Sequence, residues 1–139
     1  MTRTGAILEP DPFYAAKFTS CNRGTLTPPR NPLPFGDHMR LATTSDAARA
    51  AVLCKEFADD SVIFPLSLAD AQKEVDEMIR NQQLWVYYTV FPDGIERMAS
   101  IVACTRTTNG VAAINKVYTA RDCRSRGCAE QLVRRVCEQ

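Results

Sequence analysis

Two dipeptides, Asp93-Gly94 and Asn109-Gly110, constrain this chain more than any other feature. Asp-Gly and Asn-Gly supply the positive φ angles that tight hairpins require. Each lies between segments suited to strands. Leu84–Phe91, rich in Trp, Val and Tyr, leads into the turn Pro92-Asp93-Gly94; Arg97–Arg106 returns, and Val111–Thr119 follows the second turn. Three such segments predict an antiparallel β-meander. A sheet of this kind buries its apolar faces under helices, which the flanking sequence must supply.

Those helices are legible on both sides. Met39–Ala42 is a short strand candidate, and Thr43-Thr44-Ser45-Asp46 then matches a capping box. It leads into an Ala-rich helix with Ala48, Val52 and Phe57 expected on or near one face. Ser67-Leu68-Ala69-Asp70 repeats the capping logic, and Ala71, Val75, Met78 and Ile79 follow at helical spacing. After the meander comes a helix over Ala129–Glu138. Cys128, Leu132, Val133, Val136 and Cys137 form its buried stripe, with Arg134 and Arg135 outward. The order β-α-α-β-β-β-α predicts an α+β layered domain with a mainly antiparallel sheet.

Residues 1–37 differ in character, holding six of the eight prolines. They read as a Pro-rich N-terminal extension, with a helical turn or two over Phe13–Phe18 and packing on the domain through aromatics. Residues 38–139 make the domain proper. A length of 139 residues suits one domain, and 45% hydrophobic with 24% charged residues is ordinary for a soluble protein. The net charge of +1 disfavours nucleic acid, and Trp85, Tyr87 and Tyr88 read as strand packing rather than base-stacking platforms. No apolar run approaches the roughly 20 residues a membrane helix needs. Glu9 and Asp11, without an apolar stretch beside them, fit neither a signal nor a transit peptide, so a cytoplasmic location is expected. The six cysteines contain no C-x-x-C pair and His38 is the single histidine, which argues against a metal centre. Cys54, Cys104 and Cys137 read as small core residues, with all thiols reduced.

One segment suggests a ligand. Arg124-Ser125-Arg126-Gly127-Cys128-Ala129 joins the last strand to the last helix, where N–H groups and the helix dipole favour an anion. A side chain at position 127 is expected to block close approach. Arg121, Arg124 and Arg126 crowd a positive helix end, which is easier to understand if an anion compensates them.

With its position in the element order, Arg124-x-x-Gly127-x-Ala129 resembles the Q/R-x-x-G-x-G/A loop of the GNAT superfamily of acetyl-CoA-dependent N-acetyltransferases. Arg40-Leu41-Ala42-Thr43-x-x-Asp46 is similar to that family's first strand and helix start. The resemblance spans residues 39–139. It implies that backbone N–H groups around Arg126, Gly127, Cys128 and Ala129 hold the coenzyme A pyrophosphate, in a cofactor-binding loop that also includes Arg124 and Ser125. It also implies that Val117, Tyr118 and Thr119 form the acyl-binding strand, with Val117 and Thr119 pairing to the pantetheine arm. An N–H there would polarise the thioester of acetyl-CoA while a primary amine attacks directly, with no covalent enzyme intermediate and no metal.

Two departures stand out. Ser125 occupies a position where the family often has glycine, tolerable if its φ stays negative. The family fold continues with another strand, a helix that often supplies a tyrosine acid, and usually two more strands, whereas this sequence stops at Gln139. A truncated, catalytically inactive remnant serving as a binding or interaction module is therefore the alternative reading. Catalytic candidates are Tyr118, Glu96 and Asp122. Cys123 and Cys128 flank the arginines, whose charge would lower a thiol pKa, but a nucleophilic cysteine would want a nearby histidine. The acceptor amine is unassigned; the resemblance places its determinants in Phe57–Leu68, where Asp59-Asp60 could attract a cation. The strand edge after Thr119 could recruit a second chain.

Overall fold

The computed structural model describes residues 19–61 and 65–139, and the helical turn expected at Phe13–Phe18 lies outside them. The architecture is α+β. Strand β1 (His38–Leu41) is followed by a single 3-10 turn, Thr44–Asp46, then by helices α1 (Ala47–Asp60) and α2 (Leu68–Arg80). Strands β2 (Leu84–Val90) and β3 (Glu96–Ala103), the short pair β4 (Arg106–Thr108) and β5 (Val111–Ala113), strand β6 (Lys116–Thr119) and helix α3 (Cys128–Cys137) complete the chain. The main sheet is antiparallel throughout in the order β1-β2-β3-β6.

The local signals act as expected at the helix starts. Ser67 Oγ accepts the N–H of Asp70 at 3.1 Å and caps α2. Asp46 closes a capping box, its carboxylate accepting the Thr43 N–H at 2.7 Å. Gly94 and Gly110 have φ of +79° and +90° in the two hairpin turns.

Helices cover both faces of the sheet. Tyr118 of β6 meets Phe57 of α1 edge to face at 6.3 Å, and its register partner Ile101 shares that face. Val86 pairs with Ile101, so the next residue, Tyr87, points to the opposite face. There it lies beside Cys128 of α3. This double cover explains why β3 is buried from Met98 to Ala103 without polar alternation.

Three expectations are corrected. The strand expected over Val111–Thr119 is broken at Ile114-Asn115. Asn115 Oδ1 accepts the Thr105 N–H at 3.2 Å, and its own N–H reaches Ala103 O at 3.1 Å. The ladder ends there, and the Asn109-Gly110 turn closes only the exposed β4-β5 hairpin, so the segment expected over Arg97–Arg106 is divided as well. In α1 the buried residues are Ala50, Ala51, Leu53, Cys54 and Ala58, while Ala48 is exposed and Val52 only half-buried. Among so many alanines the apolar stripe has little contrast, and contact with α2 as well as the sheet decides what is covered. Cys54 and Cys104 are buried, but Cys137 is half-buried beside an exposed Cys21. Of the aromatics in the Pro-rich segment, Phe35 is exposed, while Phe13, Tyr14 and Phe18 lie outside the described residues. Polar contacts tie residues 19–37 to the domain: Asn31 O accepts from Gln131 Nε2 at 2.7 Å, and the Asp37 carboxylate accepts from Tyr87, Thr89 and the Val90 N–H.

Candidate functional site

Among the described residues β6 is an edge strand of the main sheet. The Ala120 N–H donates to Ala99 O at 2.8 Å. Antiparallel alternation then turns the main-chain groups of Tyr118 toward β3 and those of Val117 and Thr119 toward the open edge. Of Val117, Tyr118 and Thr119, the first and last thus have outward backbone and the middle one does not. Thr119 is partly engaged: its carbonyl accepts from Arg124 Nε at 3.1 Å, and its hydroxyl shares a hydrogen with Ser100 at 2.7 Å.

After β6 the chain makes a 3-10 turn, Arg121–Cys123, runs extended through Arg124, and enters α3 through Gly127. Both Ser125 (φ +64°) and Gly127 (φ +78°) are left-handed. Ser125 therefore does not keep the negative φ anticipated for it. Nor would the protein itself obstruct a side chain at position 127, since a Cβ there meets nothing within 4 Å. Glycine is required at 127 by its backbone angle, and the space above it is open. Gly127 also leaves α3 without a side-chain cap, and among the described residues the N–H groups of Gly127, Ala129 and Glu130 meet no protein acceptor.

The arginines are not uncompensated. Asp60, at the end of α1, accepts from Arg121 at 2.8 Å and from Arg124 at 3.2 Å, and Tyr118 donates to it at 3.3 Å. The two guanidinium groups hold the Asp60 carboxyl below the usual range. Asp59 pairs with Lys55 at 2.7 Å. The Asp59-Asp60 pair is therefore committed to cations of the chain, which removes the argument that it waits for a cationic amine. Arg126 lies over Phe91 at 4.4 Å, with Arg97 over the same ring at 4.3 Å.

The remaining candidates scatter. The Tyr118 side chain is buried on the α1 face, beneath Arg124, and burial pushes its phenol up. Glu96 pairs with His38 at 3.2 Å across the sheet. Asp122 sits in the turn before the loop, where it accepts weakly from the Cys123 thiol. Burial outweighs the neighbouring arginines at both loop cysteines, pushing Cys123 up to about 11 and raising Cys128 as well. Neither is activated. Of the strand aromatics, Tyr87 is buried and Tyr88 stacks on His38 at 5.3 Å.

One polar cluster escaped sequence reasoning. Lys116 Nζ lies 3.1 Å from Cys54 Sγ and 3.0 Å from Glu74 Oε2, and 5.4 Å from the Phe57 centroid, between α1, α2 and β6. The Lys116 side chain is 14% exposed. Burial opposes its charge, but the partners more than compensate and raise its pKa. The three residues lie far apart in the chain, so no local pattern could have joined them.

No family model matches the sequence, and no curated protein matches it either. Solved structures do. A probable acetyltransferase superposes with a TM-score of 0.57 at 14% identity, covering 73% of this chain and 69% of that one. A possible acetyltransferase from Clostridium difficile 630 gives 0.57 at 18%, covering 74% and 72%. The fold is GNAT-like. A GNAT family acetyltransferase from Staphylococcus aureus subsp. aureus USA300_TCH1516 gives 0.50 at 15%, covering 73% and 76%.

Proposed function

We propose that this chain binds acetyl-CoA and transfers its acetyl group to a primary amine. One observation carries the reading: the left-handed Ser125–Gly127 turn opens an uncapped helix directly beside the outward backbone of Val117 and Thr119. The N–H groups at the start of α3 suit the pyrophosphate, with Arg126 and Arg124 adding charge. The outward main chain of β6 suits an amide-bearing arm laid alongside it as an added strand. Arg124 would release Thr119 O for that pairing and could then turn to phosphate.

Acetyl-CoA supplies an activated thioester when bound. The outward N–H groups of β6 are the donors available to stabilise oxygen charge as the amine forms the C–N bond, the C–S bond breaks and the departing thiolate takes up the proton that the amine gives up. Asp60 supports a second reading, a non-catalytic binding module, because its carboxylate already sits where an external anion would neutralise Arg121 and Arg124.

Calorimetric titration of acetyl-CoA into the wild type and Gly127→Val tests the proposal. The valine strains the left-handed turn and fills the open space above it, so affinity should fall at least about tenfold with the circular dichroism of the fold retained. Equal affinities would sink the cradle, and no heat with either protein would favour the second reading.

A further inference from the structure

Cys21 and Cys137 are 116 positions apart in sequence, yet their sulfurs lie 3.3 Å apart. Both are free thiols; Cys21 is exposed, and Cys137 is half-buried at the C-terminal end of α3. The contact is part of a longer apposition. Residues 21–31 run along α3, with Cys21, Leu26 and Thr27 facing Val133, Arg134 and Cys137 across a shallow groove. The Gln131 side chain holds Asn31 O, and Arg30 lies 3.8 Å from Glu130. Directly after Cys21 the backbone is fixed by its own turn: Asn22 Oδ1 accepts the N–H groups of Gly24 and Thr25 at 2.9 and 3.1 Å, and the Asn22 N–H donates to Thr25 Oγ1 at 2.8 Å. The sulfurs need to approach by only about 1.3 Å to reach the bonding distance of about 2.0 Å.

We propose that Cys21 and Cys137 are a redox-modification site, closing under peroxide into a reversible disulfide that locks the N-terminal segment onto α3. The exposed Cys21 thiolate attacks one oxygen of hydrogen peroxide, the O–O bond breaks, and hydroxide leaves and becomes water. Cys21 is then a sulfenic acid. The Cys137 sulfur attacks that sulfenic sulfur, the S–O bond breaks, a second water leaves with the Cys137 proton, and the S–S bond forms. Together the two sulfurs lose two electrons and the peroxide oxygens gain them. A thiol reductant reverses the step by exchange. Cys21 is exposed and Cys137 half-buried, so Cys21 is the first to meet the oxidant, and burial with the neighbouring thiol raises the Cys137 pKa. The other four cysteines are buried. The site lies at the opposite end of α3 from Gly127, so the inference does not rest on the acetyl-CoA reading.

The test is titration of the full chain with hydrogen peroxide, followed by alkylation and peptide mapping. Two of the six thiols should vanish with a loss of about 2 Da, and one peptide pair should carry Cys21 linked to Cys137. Dithiothreitol should restore both. Cys21→Ser should abolish the link and leave every remaining thiol alkylatable, whereas Cys137→Ser should abolish the link and leave Cys21 as an unresolved sulfenic acid that dimedone traps. The linked protein should melt at least about 5 °C higher, because the closure spans most of the chain. Six alkylatable thiols after oxidation, a link between chains, a different cysteine pair, or a link with unchanged melting would each overturn the proposal.

Discussion

Asp46 is 2% exposed and carries a full charge, which is sustained only because donors surround it. Arg40 reaches both its oxygens at 2.6 and 3.1 Å, the Thr43 N–H donates at 2.7 Å, and the Tyr88 phenol donates as well. Burial opposes ionisation, but Arg40, Thr43 and Tyr88 together hold the carboxyl well below the usual range. The sign of the pH effect follows. A depressed folded pKa gives stability that is complete above the unfolded value near about 4 and is lost as pH falls below it. Urea titrations should show wild-type stability falling below pH 4, with a shallower fall in Asp46→Asn. Arg40 is 39% exposed, so solvent screens part of that pair. We expect Asp46→Ala to cost about 2–4 kcal/mol, chiefly from donors left unpaired. The capping box was legible because its partners are three residues apart. Arg40 and Tyr88 were not, since only the pairing of β1 with β2 brings them to the helix start.

Among the elements, α3 and the turn feeding it show how far pattern reading reaches. Leu132 is fully buried on the predicted stripe, and the helix starts within one residue of its expected position. The turn conformation was only half legible. Glycine tolerates a positive φ, so Gly127 takes one at no cost, whereas nothing about Ser125 announces one and the φ expected there is negative. A serine held left-handed stores strain of about 1 kcal/mol. Ser125→Gly should therefore leave stability unchanged or raise it by up to about that amount. Denaturant melts decide this, and a clear loss would mean that the Ser125 side chain makes a stabilising contact. Meander logic failed at Val111–Thr119 for a related reason: a residue's β propensity does not say which strand it will pair with. Asn115 diverts two ladder positions to itself, and the hairpin separates from the sheet.

At the scale of the molecule, Asp60 joins the end of α1 to the Arg121–Arg124 segment and so couples the helix pair to the candidate site. If acetyl-CoA binds only the folded chain, it must stabilise that chain by mass action. At a hundred times its dissociation constant the gain is about 2.7 kcal/mol, and for a chain of this size the melting midpoint should rise by about 8 °C. Thermal scans at graded acetyl-CoA concentrations check this, and a midpoint independent of concentration would refute binding. The sequence by itself determined the elements that depend on near neighbours: caps, tight turns, an amphipathic stripe on α3, and from their order an α+β fold. Only the tertiary structure decided what depends on distant segments meeting. It turned Val117 and Thr119 to an open edge, set Asp60 against two arginines, buried Lys116 with Cys54 and Glu74, and brought Cys21 to Cys137. Local interactions leave a period or a spacing in the chain, whereas long-range pairs leave none, because their partners are chosen by the folded geometry of the intervening residues.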